Sequence, residues 1–136
     1  MRLLDPATVT PVPWRNRAGL TRELWNEGPV RISLADLTAD APFSELPGID
    51  RLFVLLSGSI TLDGQALEPG GQMRFGGERP VTAVVHRPGR ALNLMIHRGH
   101  GSGDITISEK APAEADFVVV LGENRFAGIR LTPANR

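Results

Sequence analysis

Residues Pro42 to Glu78 read PFSELPGIDRLFVLLSGSITLDGQALEPGGQMRFGGE, and their punctuation decides the fold class. The turn Leu46-Pro47-Gly48 feeds an apolar run, Leu52 to Leu56, which Ser57-Gly58 breaks. A second short run, Ser59 to Leu62, ends at Asp63-Gly64, and a third leads into Pro69-Gly70-Gly71 before Gln72 to Phe75. Apolar runs this short, bounded by Gly and Pro, are strands rather than helices. Repeated along a chain, they spell an antiparallel barrel or sandwich.

Outward from this stretch the pattern continues. Arg2 to Leu4 reads as a short edge strand. Leu20 to Trp25 alternates Leu20, Arg22 and Leu24 with Thr21, Glu23 and Trp25. Val30 to Leu37 is the cleanest alternation and predicts a half-buried strand, with Val30, Ile32 and Leu34 inward and Arg31, Ser33 and Ala35 on the other face. Val81 to His86 and Leu92 to His97 predict a hairpin across Arg87-Pro88-Gly89-Arg90. Ile105 to Ser108, Phe117 to Leu121 and Phe126 to Leu131 add three strands, and Ala111 to Ala115 one helical turn. The result is an all-β chain of about ten short antiparallel strands.

Composition narrows the function classes. The 136 residues predict one domain, 1–136, and 15 basic residues balance 15 acidic ones. No net positive field attracts nucleic acid or an acidic membrane. With no cysteine, thiolate catalysis and disulfides are excluded. The opening MRLLDPATVTPVPW breaks at Pro6 and lacks a long apolar core, so neither a signal peptide nor a membrane span is expected, and the cytoplasm is the default location.

Metal and nucleophile chemistry find little support. His86 ends a strand, while His97 and His100 share a Gly-rich loop rather than one face. A catalytic metal needs about three convergent ligands. No G-x-S-x-G elbow occurs.

The arginines carry more information. Arg51 opens the central apolar run after Asp50, Arg74 interrupts Gln72 to Phe75, and Arg22 lies inside a strand between Thr21 and Glu23. Arginine is ordinarily exposed, and spacing alone favours that placement. Pointing inward, a guanidinium requires acceptors, and an inward pair makes a carboxylate pocket. Trp14, Trp25 and Phe43 either line such a pocket or fill the core.

Four stretches, PWRNRAGLTREL (Pro13 to Leu24), PFSELPGIDRLFVLLSG (Pro42 to Gly58), LEPGGQMRFGGE (Leu67 to Glu78) and ALNLMIHRG (Ala91 to Gly99), resemble the HutD/Ves family. The resemblance implies a cupin-like, jelly-roll β-barrel and an association with histidine utilisation. Arg15 stands where the family usually has lysine, and Arg17-Ala18 where it has two glycines. Family members are usually longer, so the part after Phe117 looks shortened, and a homodimer is one way to complete it.

The cupin likeness implies more. Aligned on Gly58 and on Pro69-Gly70-Gly71, two positions at which cupins carry metal ligands become Arg51 and Arg74. The likeness therefore implies that both face the interior, with no metal and no other cofactor, and that an anion replaces the cation. Asn16, Thr21, Arg22, Glu23, Asp50 and Asn93 fall on family motif positions and complete the expected site. The expected ligand is a small carboxylate metabolite, such as formiminoglutamate or urocanate, held in a sensing or regulatory role. Two alternatives stand beside it: a metal-free isomerase or hydrolase with Glu23 or Asp50 as base, and a dimeric interaction module.

Overall fold

The computed structural model describes residues 1–134, so positions 135 and 136 of the expected single unit lie outside the described residues. In chain order the strands are β1 (Arg2–Leu4), β2 (Val12–Pro13), β3 (Gly19–Glu27), β4 (Val30–Leu37) and β5 (Ala41–Pro42). Then follow β6 (Ile49–Leu55), β7 (Ser59–Leu62), β8 (Gln65–Leu67), β9 (Gln72–Gly76) and β10 (Thr82–Arg87). The last four are β11 (Gly89–His97), β12 (Ser102–Ser108), β13 (Phe117–Gly122) and β14 (Arg125–Thr132). Helical structure among the described residues is one 3-10 turn at Pro6–Thr8, capped by Asp5, and not the turn expected at Ala111 to Ala115. The count exceeds the expected ten because two-residue bridges such as β2 and β5 leave no periodic signal.

The strands form three sheets. The central one has the order β2-β3-β4-β11-β6-β9, and the two outer ones are β1-β13-β14-β12 and β5-β10-β7-β8. They stack as a jelly-roll sandwich rather than closing into one continuous barrel. Even-numbered residues of the central strands (Ile32, Leu34, Leu52, Val54, Leu92, Leu94) pack on Phe117, Val119, Ala127 and Ile129 of the first outer sheet. Odd-numbered ones (Leu37, Phe53, Leu55, Ala91) pack on Ile60, Leu62 and Ala83 of the second, and on Val81 just before its strand β10. Burial on both faces explains why β6 is a continuous apolar run. It also corrects the expectation for β4. That strand is not half-buried, because Ser33 and Ala35 are 3% and 4% exposed.

Two corners set the layering. Ser57-Gly58 carries the chain from β6 in the central sheet to β7 in the outer one, and Pro88-Gly89 carries it back from β10 to β11. The expected hairpin is therefore absent: β10 pairs with β5 and β7, and β11 with β4 and β6. The crossings touch. Gly58 has φ +85, a Cβ there would lie 2.6 Å from the Arg87 carbonyl oxygen, and a Cβ at Gly89 would overlap the Ser57 carbonyl.

Two smaller departures follow from register. Leu24 is an extra residue between the pairs Glu23↔Ser33 and Trp25↔Ile32, a β-bulge that reverses the alternation. Trp25 consequently enters the core against Phe117 with ring centroids 5.1 Å apart, while Glu23 stays on the opposite face. The edge strand β1 pairs parallel with β13, not antiparallel as expected.

Candidate functional site

The second outer sheet covers only part of the central sheet. Where cover ends, the odd-numbered face of β3, β4, β11 and β6 becomes the floor of a 450 Å³ cavity. Cross-strand register fixes that floor in rows. Arg31, Met95 and Arg51 lie side by side, with Phe75 next to Arg51. The next row is Glu23, Ser33, Asn93 and Phe53, and beyond it lie Thr21, Ala35 and Ala91.

The walls come from two loops. Trp14 to Gly19 folds back on itself: Trp14 N donates to Gly19 O at 2.9 Å, and Ala18 N donates to Asn16 Oδ1 at 3.0 Å. Trp14 Nε1 donates to Thr21 Oγ1 at 2.7 Å, which fixes the indole as one wall. Phe43 packs against it edge-to-face, with ring centroids 6.3 Å apart, and extends the aromatic wall.

Arg51 is the centre of this cavity. It is 7% exposed. Its guanidinium carbon lies 5.0 Å from the Phe75 ring centroid and 5.4 Å from that of Phe43. Nη1 donates to Ser44 O at 3.3 Å and Nη2 to Asn93 Oδ1 at 3.4 Å, both long for such bonds. Nε is buried with no hydrogen-bond partner among the described residues. Burial, reinforced by the charge of Arg31, pushes the Arg51 pKa down to about 10, so the group remains a cation at neutral pH.

Arg15, Arg31 and Arg51 all line the cavity, and among the described residues no aspartate or glutamate does. Arg31 places its Nε 2.7 Å from Glu23 Oε1, an ion pair without hydrogen-bond geometry. For Arg51 no carboxylate partner is present among the described residues. A buried, uncompensated guanidinium is costly in an empty cavity and favourable beside an anion. The same donor set disfavours a divalent cation, so the metal that many cupins hold does not fit here. His86 bonds Thr61 on the outer sheet, and His97 and His100 lie together at a strand end, all outside this cavity. Among the described residues no group of three His, Cys, Asp or Glu side chains gathers.

The structure divides the residues singled out from sequence. Asn16, Thr21, Arg51 and Asn93 line the cavity, and Glu23 stands beside it on Arg31 and Asn26. Arg22, Asp50 and Arg74 do not face it. Arg22 lies on the other face, bonded to Asp36 at 2.9 Å, and Asp50 is bonded to Arg98 at 3.0 Å. Arg74 does not point inward with Arg51. It sits opposite Leu52 in the register, 54% exposed, and pairs with Asp104 at 2.7 Å. The reason is the two-residue period of a strand, which puts neighbours on opposite faces. Sequence reading missed Arg31, Ser33 and Arg15 as lining residues. The signal was there for the first two: the polar alternate face of β4 is the cavity floor.

The family model described as HutD matches residues 6–127. Protein Ves of Cronobacter sakazakii is 32% identical over 110 residues, covering 71% of this chain and 61% of that protein. Protein Ves of Citrobacter koseri is 28% identical over 111 residues, covering 71% and 58%. The chain thus spans less than two thirds of the length of these two relatives. Among solved structures, HutD from Pseudomonas fluorescens SBW25 superposes with a TM-score of 0.72 at 22% identity, covering 97% of this chain and 98% of that one. An RmlC-like cupin from Shewanella frigidimarina gives 0.58 at 10% identity, covering 67% and 86%. At these identities the structural likeness establishes the jelly-roll cupin fold.

Proposed function

The chain belongs to the HutD family, and on that premise we propose that it binds a small carboxylate metabolite in the Arg51 cavity. The role is sensing or regulation, and the candidate ligands are the histidine-degradation intermediates urocanate and formiminoglutamate. One observation carries the proposal: among the described residues, Arg51 is a buried cation with an unpartnered Nε in a cavity that no acidic side chain lines. A carboxylate beside it would accept the donors that Ser44 O and Asn93 Oδ1 hold only at long range.

The walls favour urocanate of the two. Trp14 and Phe43 give the cavity an aromatic lining suited to a flat conjugated acid. The formimino cation of formiminoglutamate would meet Arg15 and Arg31 with no acidic lining group. The Pseudomonas fluorescens HutD structure is described for a formate condition, and formate is the smallest carboxylate.

A hydrolase or isomerase reading gains nothing from the geometry. Of its two candidate bases, Asp50 lies on the opposite face with Arg98, and Glu23 is occupied by Arg31 and Asn26. Binding without turnover fits the cavity better.

The test is a thermal-shift and calorimetric titration with urocanate, formiminoglutamate and unrelated carboxylates. A ligand at a hundred times its Kd adds about 2.7 kcal/mol. For a chain of this size that raises Tm by about 8–13 °C. If no carboxylate in the panel saturates, the proposal is wrong.

A further inference from the structure

A second cavity, of 470 Å³, lies on the other face of the central sheet and gathers another three arginines: Arg22 from β3, Arg90 from β11 and Arg125 from β14. They converge from two different sheets. Arg22 Nη1 and Arg90 Nε each bond one oxygen of the same carboxylate, Asp36, at 2.9 and 2.7 Å. Arg125 Nη2 donates to the Leu56 carbonyl at 3.0 Å, next to Ser57, whose Oγ accepts from Arg90 N.

The charges do not balance locally. Asp36 offers one negative charge to two guanidiniums, and Arg125 has no carboxylate partner among the described residues. Asp5, the only acid among the described residues that line the cavity, has Oδ1 on the Ala7 amide and bonds none of the three guanidiniums, so three positive charges meet two negative ones. Each of the three side chains uses one of its five N–H donors. Asp36 joins Arg22 and Arg90, which leaves Arg125 and the unused donors of all three around the cavity for an anion with several acceptor oxygens to bridge. The remaining lining is apolar, with Leu34 and Leu56 beneath and Val120 and Leu121 at one side.

We propose that this cavity binds a small organic phosphate, with its phosphoryl oxygens on Arg22, Arg90 and Arg125 and its carbon skeleton over Leu56, Val120 and Leu121. A phosphoryl group supplies enough oxygens for three forks, which one carboxylate does not. The volume exceeds what inorganic phosphate alone fills. This site is separate from the Arg51 cavity and is independent of what binds there.

Phenyl phosphate is the probe, titrated by calorimetry and followed by 31P NMR at fixed ionic strength. The expected result is saturable one-to-one binding, weakened on the order of ten-fold or more in Arg90→Gln and in Arg125→Gln. Arg130→Gln removes the same charge from a remote surface pair with Glu114 and should leave the affinity unchanged. Tm of each variant, measured without ligand, separates lost binding from lost folding. The proposal is overturned by any of three results: no saturation, equal weakening in Arg130→Gln, or benzoate binding as tightly as phenyl phosphate.

Discussion

Arg51 and Arg74 stand on neighbouring strands and face opposite sides of the central sheet, because Arg51 is in register with Phe75 and Arg74 with Leu52. The pair therefore provides a matched test of the carboxylate cavity. Arg51→Gln should lower urocanate affinity by at least about ten-fold, since a charge-assisted hydrogen bond is lost. Arg74→Gln removes the same charge from an exposed pair and should change it by less than about two-fold. Calorimetry on both variants decides. An equal loss in the two would mean that binding follows net charge rather than the cavity.

Arg51 should be a burden to the empty protein. Its burial is compensated only by long hydrogen bonds and two aromatic faces. Replacing it with methionine, similar in length and uncharged, is expected to raise the stability of the ligand-free protein by about 1–3 kcal/mol. Urea unfolding measures this. A loss of stability would show that the guanidinium is held more favourably than its contacts suggest.

The pH dependence has a definite sign. Burial lowers the folded-state pKa of Arg51 to about 10, below its ordinary value. The folded chain then binds fewer protons than the unfolded one only in strongly alkaline solution, so stability from this group rises with pH above about 10 and is flat below. Carboxylate affinity should likewise be level between roughly pH 6 and 9 on the side of Arg51. A Kd series across that range, with a ligand that does not itself titrate there, checks it.

The two tryptophans should report separately. Trp14 walls the Arg51 cavity, while Trp25 packs on Phe117 across the sheet beneath the Arg2 guanidinium. Binding a carboxylate should change the emission of Trp14 alone. Trp14→Phe should abolish the signal and Trp25→Phe should keep it.

The paired corners should tolerate no side chain. Gly89→Ala would force a Cβ onto the Ser57 carbonyl, and Gly58→Ala would add backbone strain at φ +85. Each is expected to cost on the order of 2–3 kcal/mol, or roughly 10 °C in Tm. Gly64→Ala, whose Cβ would meet open space, serves as the milder comparison and bears only the strain of φ +82.

Much of this architecture was legible from residues. β6 through β9 follow the Gly and Pro punctuation, and Asp63-Gly64, at φ +50 and +82, makes the tight turn its sequence announces. The Pro88-Gly89 corner was not legible as a change of sheet, because a hairpin and a crossing use the same turn chemistry. The facing of Arg74 was hidden for another reason. It depends on register with β6, a long-range property that no local pattern carries. The floor of the site was misread because a cavity is lined with polar groups, so Arg31 and Ser33 look like a solvent face. The Leu24 bulge concealed the destination of Trp25.

The central sheet is covered on both faces, so its strands are written in two interleaved alphabets. Odd positions of β4, β6 and β11 spell one chamber and even positions the other. Point substitutions can therefore revise the lining of one chamber while leaving its neighbour intact. A single inserted or deleted residue has no such freedom. Inside β6 it would exchange the two alphabets for the rest of that strand, carrying Arg51 to the apolar side and Leu52 to the polar one, unless a bulge absorbs the extra residue as Leu24 does in β3.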